Sequence, residues 1–83
     1  MGVDEGDVDG IWLEDFMAVV EEGGFSRAAA CRNVTQPAFS RRIRALEAWV
    51  GASLFQRLPH GVALTPAGEA FAELAPDLQR RIA

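Results

Sequence analysis

The side chains of this sequence that are best suited to chemistry are arginines, and they are concentrated in its middle. Residues 26–64 hold six arginines and one acid, whereas residues 1–22 hold eight acids and no base. A formal net charge of −4 therefore conceals a strongly basic segment. Guanidinium groups bind phosphate oxygens and guanine edges through paired hydrogen bonds. The segregated charge thus indicates a nucleic-acid partner for residues 26–64.

Two predicted helix starts lie inside this basic segment. Ser26 is predicted to cap a short helix at 27–32, and Thr35 to cap a longer one at 36–50. Asn33 lies between the two helices and is expected to adopt a left-handed conformation in a tight turn. The unpaired N–H groups at each helix start can attract phosphate.

The longer helix has two unlike faces when its residues are placed about 100° apart. Its apolar face, which should pack on the preceding helices, consists of Phe39, Ile43, Leu46 and Val50. Its opposite face consists of Pro37, Ser40, Arg41, Arg44 and Ala48. Arg41 and Arg44 are candidates for guanine contacts, and Gln36 at the helix start is a candidate for an adenine contact. Arg42 lies between the two faces and is interpreted as a solvated side chain.

A β-hairpin is predicted directly after this helix, with strands at 54–57 and 62–64. Arg57 and His60 in this hairpin can reach a phosphate or the minor groove, although His60 is equally compatible with an ordinary turn residue. Two helices joined by a tight turn and followed by a hairpin are typical of a major-groove reader. The predicted fold class is therefore mainly α, a winged helix-turn-helix with a three-helix core.

The predicted elements divide the chain into three parts. These are a flexible acidic tail at 1–10, a winged helix-turn-helix domain at 11–64, and a linker or dimerisation helix at 65–83. The domain opens with a helix at 11–22, which Asp9 is expected to cap. The apolar positions of that first helix are Leu13, Phe16, Met17 and Val20.

The last helix is predicted to begin after Thr65 and to be kinked at Pro76. Its apolar stripe consists of Phe71, Leu74, Leu78 and Ile82. This stripe is compatible with packing inside the chain. Because three other helices already supply a core, a seam with a partner chain is the favoured interpretation.

Composition argues against several other kinds of site. The chain has one cysteine and one histidine, so no intrachain disulfide can form and the usual zinc ligands are lacking. We expect no metal, no cofactor and no catalytic constellation. Cys31 is expected to be a small buried side chain, and Trp12 and Trp49 to lie in the core or an interface. No signal peptide and no membrane-spanning stretch is apparent, so a cytoplasmic location is expected.

A set of spaced motifs extends over roughly residues 11–83. It consists of Gly24-Phe25-Ser26-Arg27-Ala28-Ala29, Val34-Thr35-Gln36-Pro37-Ala38-Phe39-Ser40-Arg41-Arg42-Ile43, Leu46-Glu47, Gly51, Leu54-Phe55, Arg57 and Leu64-Thr65-Pro66-Ala67-Gly68. As a composite, it resembles the N-terminal DNA-binding domain of LysR-type transcriptional regulators. The resemblance implies a homodimer, or a tetramer in a full-length regulator, paired through the helix after the wing. It also implies DNA contacts by Thr35, Gln36, Pro37, Ser40 and Arg41, with Arg57 and His60 in the wing.

Three features depart from that family pattern. Most members carry a leucine where this chain has Arg32, whose stem is expected to lie on the core while its head reaches solvent or phosphate. Pro76 interrupts the dimerisation helix. The effector-binding domain of such regulators is absent from this sequence, which makes it a fragment or a stand-alone reader. A small-molecule effector would act only through that absent domain.

The leading prediction is sequence-specific recognition of double-stranded DNA by a homodimer, with the helix at 36–50 in the major groove. The predicted DNA-contacting residues are Ser26, Arg27, Thr35, Gln36, Pro37, Ser40, Arg41, Arg44, Arg57 and His60. One alternative is a protein-interaction module, which would form dimers without duplex affinity. The other is an enzyme, for which no constellation of catalytic side chains is found.

Overall fold

A computed structural model describes the backbone of residues 10–82 and the side chains of residues 10–74. Its elements are α1 (Gly10–Glu22), α2 (Phe25–Cys31), α3 (Gln36–Val50), β1 (Phe55–Leu58), β2 (Gly61–Leu64) and α4 (Pro66–Ile82). This arrangement confirms the predicted winged helix-turn-helix class. The expected cap Asp9 and the tail before it lie outside the described residues.

The ends of α3 follow directly from its sequence. The Thr35 hydroxyl accepts a hydrogen bond from the Ala38 N–H at 3.3 Å, and Pro37 occupies the first turn, where a helix needs no N–H donor. Gly51 ends the helix in a left-handed conformation with φ of 87°. The turn before α3 is made by Asn33, whose φ of 62° confirms the expected left-handed geometry.

The start of α2 differs from the prediction. Gly24, in an extended conformation, is the N-cap residue, and no side chain caps the helix. Ser26 therefore lies inside the first turn instead of capping it. The helix begins two residues earlier than predicted, at Phe25. The side chain of Phe25 is 8% exposed and belongs to the core.

The core lies between the apolar faces of the helices and the root of the hairpin. Its members are Leu13, Phe16, Ala18, Val19, Phe25, Ala28, Ala29, Phe39, Ile43, Leu46, Leu54, Phe55 and Phe71. The predicted apolar face of α3 is confirmed, with Val50 packed at its margin. In α1, Val19 is buried, whereas Val20, which belongs to the predicted apolar set, is exposed. The expectation for Cys31 is wrong, since this residue is exposed. Trp49 is 62% exposed and so lies outside the core, which leaves an interface as the expectation for it.

Phe71 is buried in this core and is not available for the predicted contact with a partner chain. Its ring packs edge-on against Phe16 with centroids 4.9 Å apart. The two residues meet because α4 folds back onto α1 directly after the hairpin. The predicted dimerisation stripe is therefore divided, and Leu74, at 56% exposed, is its first accessible member. The side chains of Pro76, Leu78 and Ile82 lie outside the described residues.

A buried carboxylate connects the three helices of the core. Asp15 of α1 is fully buried and accepts hydrogen bonds from Arg32 Nε at 2.9 Å and from Arg42 Nε and Nη2 at 2.8 Å. Arg32 also pairs with Glu14 at 2.9 Å. Arg42, interpreted from the sequence as solvated, is thus held against α1. The head of Arg32 is likewise turned toward two acids and not toward solvent or phosphate.

The local charges decide the protonation of Arg32. Burial acts to lower the pKa of its guanidinium, but the hydrogen bond and negative charge of Asp15, together with Glu14, outweigh burial and raise that pKa. The group therefore remains charged at any pH at which the protein would be studied.

The hairpin is short and approaches the loop between α1 and α2 closely. β1 and β2 pair antiparallel from Phe55 with Leu64 to Leu58 with Gly61, which leaves a two-residue turn of Pro59 and His60. Each strand differs by about one residue from its predicted bounds. Gly61 has a φ of 135°, and a Cβ there would lie 2.8 Å from the Gly23 carbonyl oxygen, so only glycine fits this approach.

We expect Asp15→Asn to destabilise the fold by about 2–3 kcal/mol, because two guanidinium groups would lose their buried counter-charge. This cost is smaller than that of breaking a fully buried ion pair, because the side chains of Arg32 and Arg42 are 26% and 32% exposed. Urea denaturation measures the change. Glu14→Gln is the matched control, because its side chain is mostly exposed and should cost about 1 kcal/mol or less. Equal midpoints for Asp15→Asn and the unmodified chain would contradict this account.

Candidate nucleic-acid interface

The exposed side of α3 forms the centre of the candidate interface. Gln36, Pro37, Ser40, Arg41 and Arg44 line one shallow depression along this side. All are exposed except Ser40, which is half-buried. The apolar face of the same helix is buried, so these polar side chains are presented outward from a fixed support.

The hairpin and the start of α2 extend this surface. A second, open cavity of about 470 Å³ lies between them and is lined in part by Ser26, Arg27, Gln36, Arg57 and His60. Gln36 borders both cavities, which makes the surface continuous from α3 to the wing. Nine of the ten predicted contact residues line it, and the tenth, Thr35, is exposed beside Gln36.

The start of α3 offers fewer free donors than its sequence suggested. Pro37 has no N–H, and the Ala38 N–H is used by the Thr35 hydroxyl. The Phe39 N–H bonds the Thr35 carbonyl oxygen at 2.9 Å. Within the described residues, the Gln36 N–H is the donor of this first turn that remains for a ligand.

The six arginines of the basic segment fall into two groups. Arg32 and Arg42 are engaged by acids beneath the surface. The remaining four have no acidic partner in the part of the chain that the structure describes, and all are exposed; they are Arg27, Arg41, Arg44 and Arg57. Their charge is therefore available to an anionic partner.

Sequence reasoning missed the support beneath Arg57. Its guanidinium carbon lies 4.3 Å from the centre of the Phe25 ring, a cation–π contact. Phe25 carries no polar group and was noted only within a family motif. No periodicity signals this contact, because the two residues come from α2 and β1.

Glu47, the single acid of the basic segment, serves the hairpin. One of its carboxylate oxygens, Oε2, accepts hydrogen bonds from the Leu54 N–H at 2.8 Å and the Phe55 N–H at 3.3 Å. The same oxygen accepts from the Ser53 hydroxyl at 3.5 Å. The root of the wing is thereby attached to α3, which sets the hairpin beside the exposed face of that helix.

The described residues contain no group of three or more His, Cys, Asp or Glu side chains that could hold a metal ion. Among the same residues, no helix is long and apolar enough to cross a membrane.

A helix-turn-helix made by α2 and α3, a hairpin beside it and a basic face across both define a winged helix-turn-helix DNA-binding domain. Residues 11–69 match the family model described as "Bacterial regulatory helix-turn-helix protein, lysR family". The chain belongs to this family.

Named relatives and solved structures agree with that assignment. The chain is 47% identical over 66 residues to the HTH-type transcriptional regulator TfdT of Cupriavidus pinatubonensis. The aligned region covers 80% of this chain and 29% of TfdT. It resembles the crystal structure of Vibrio fischeri DarR in complex with DNA, with a TM-score of 0.81 and 48% identity over 99% of this chain and 26% of that one. It also resembles the CbnR DNA-binding domain in its DNA complex, with a TM-score of 0.77 and 40% identity over 83% of this chain and 79% of that one. The chain thus spans less than a third of the length of TfdT.

The division of the arginines predicts the salt dependence of binding to duplex DNA. Each phosphate neutralised contributes about −0.9 to the slope of log K against log salt, so the four arginines of residues 26–64 without an acidic partner can together contribute at most about −4 per protomer. Arg27→Ala, at the edge of this surface where a phosphate contact is expected, should make the slope less negative by about 1. Arg42→Ala should leave it unchanged, because Arg42 is already paired with Asp15. Fluorescence anisotropy at several salt concentrations measures both, with circular dichroism to verify folding, and equal slope changes for the two variants would refute the division.

Proposed function

We propose that this chain reads specific double-stranded DNA sequences as the DNA-binding domain of a LysR-type transcriptional regulator. In this proposal α3 lies in the major groove and the hairpin lies against the backbone or the adjacent minor groove. The observation that carries it is the continuous surface on which Gln36 meets four arginines that have no acidic partner among the described residues. An α-helix fits the major groove of B-form DNA, whose base edges differ at every pair.

The residues of α3 are proposed to read base edges. The Gln36 amide can donate to and accept from an adenine, and Arg41 or Arg44 can donate two hydrogen bonds to a guanine. Pro37 and Thr35 present apolar atoms that suit a thymine methyl group. Ser40, half-buried on the same side of α3, can donate to either a base or a phosphate.

The residues around the second cavity are proposed to hold the backbone. Ser26 and Arg27 project from the first turn of α2, and Arg57 and His60 from the hairpin. Contacts of this kind set the register of the protein on the duplex and carry little sequence information themselves. Substitutions here should weaken binding to all sequences about equally.

A homodimer is proposed as the functional unit, paired through α4. Support comes from the length of that helix, Pro66–Ile82, and from the exposure of Leu74 beyond the buried Phe71. The family assignment supports a larger assembly in a full-length regulator, in which an effector would bind a separate domain. No catalytic activity is proposed, since the relatives are named transcriptional regulators. The site of action proposed from this bacterial family is the cytoplasm.

Selection of bound duplexes from a random pool tests the proposal. Enrichment of one half-site sequence is expected, and a homodimer should select two half-sites related by dyad symmetry. Anisotropy on the selected duplex should then show Arg41→Ala to be weakened by about 5- to 150-fold, the cost of losing one paired base contact. If no duplex is enriched at low salt although the chain is dimeric, a protein-docking role replaces DNA reading.

A further inference from the structure

Phe25 occupies a junction between the two parts of the interface. Its ring packs edge-on against Phe39 of α3 at 6.0 Å and against Phe55 of β1 at 5.7 Å. The guanidinium of Arg57 lies over the same ring, 4.3 Å from its centre. One aromatic side chain from α2 thus contacts α3, the wing strand and a wing cation.

The strand geometry explains why one ring can make both wing contacts. Side chains two residues apart in a strand point to the same face, so Phe55 and Arg57 project together from β1. Phe55 is buried at the root of the strand, and Arg57 lies next along it at the exposed edge. Phe25 lies beneath both of them.

We propose that Phe25 is a positioning residue for DNA binding, whose ring holds the Arg57 guanidinium ready for a phosphate or a minor-groove edge. This inference rests on the proposed function. Phe25 is 8% exposed and acts through Arg57 without a DNA contact of its own. The role is specific to the aromatic face, because an aliphatic side chain of similar size would fill the core without attracting a cation.

The physical reason is preorganisation. A free arginine loses considerable rotamer freedom when it binds, and a side chain that is already oriented loses less. A ring contact orients the guanidinium without consuming its charge, unlike the ion pairs that engage Arg32 and Arg42. Within the described residues the Arg57 side chain has no hydrogen-bond or ion-pair partner, so its guanidinium N–H donors remain available to DNA.

A double-mutant cycle on the selected duplex tests the inference, using Phe25→Leu, Arg57→Ala and the combined variant. Phe25→Leu should weaken binding by about threefold to tenfold when Arg57 is present, as expected for loss of one cation–π contact and its ordering effect. In the Arg57→Ala background the same change should have less than about a twofold effect. Phe25→Tyr, which keeps the aromatic face, should restore most of the affinity.

Phe16→Leu is the matched control, because Phe16 is a buried core ring that packs on Phe55 and Phe71 and makes no cation–π contact within residues 10–74. Measured where both variants are folded, it should retain its DNA affinity. If Phe25→Leu does not fold, Phe25→Met replaces it, since a flexible side chain adapts better to the cavity. Independently of DNA, the upfield shifts that the Phe25 ring induces in the Arg57 side-chain NMR signals should vanish in either variant.

The outcomes separate this inference from the proposed function. Equal losses from Phe25→Leu with and without Arg57 would make Phe25 merely structural and overturn the inference. So would unchanged affinity in Arg57→Ala while Arg41→Ala loses binding, a result that leaves the proposed function intact. Absence of duplex binding by the unmodified chain would instead refute the proposed function.

Discussion

The arrangement of this domain depends on one buried carboxylate. Asp15 lies inside α1 and engages one arginine at the end of α2 and another on α3. An unpaired carboxylate in that position would be very costly, and the guanidinium groups of Arg32 and Arg42 both pair with it. The packing of α2 and α3 on α1 is constrained by charge as well as by apolar contact. Because α3 is the helix proposed to enter the major groove, the carboxylate also helps to set the direction in which the DNA-facing side of α3 points.

A second acidic side chain, Glu47, helps to orient the wing. Glu47, on α3, holds the backbone at the root of β1, and Gly61 allows the hairpin to approach the loop between α1 and α2. Phe25 fills the space between them. The hairpin is thus held from three directions, which explains how a two-stranded element too small to be stable alone keeps a defined position.

Local signals in the sequence were sufficient for most of the fold. Thr35 and Asn33 predicted the start of α3 and the turn before it, because capping and left-handed geometry depend on residue type. The exposed and buried faces of that helix followed from its periodicity. The roles of Arg32 and Arg42 did not, because their partner lies 17 and 27 residues away and periodicity cannot show it. Periodicity also could not show the burial of Phe71 or the ring beneath Arg57. The identity of the residues that contact DNA remains a prediction.

The pairing of two arginines below the surface has a consequence for how such a domain would find its target. Non-specific affinity for DNA rises with every phosphate that a protein neutralises, and a genome offers non-specific sites in vast excess. Two guanidinium groups committed to Asp15 shape the fold without adding to that general attraction. The protein can therefore be rich in arginine without a matching rise in its affinity for DNA of the wrong sequence.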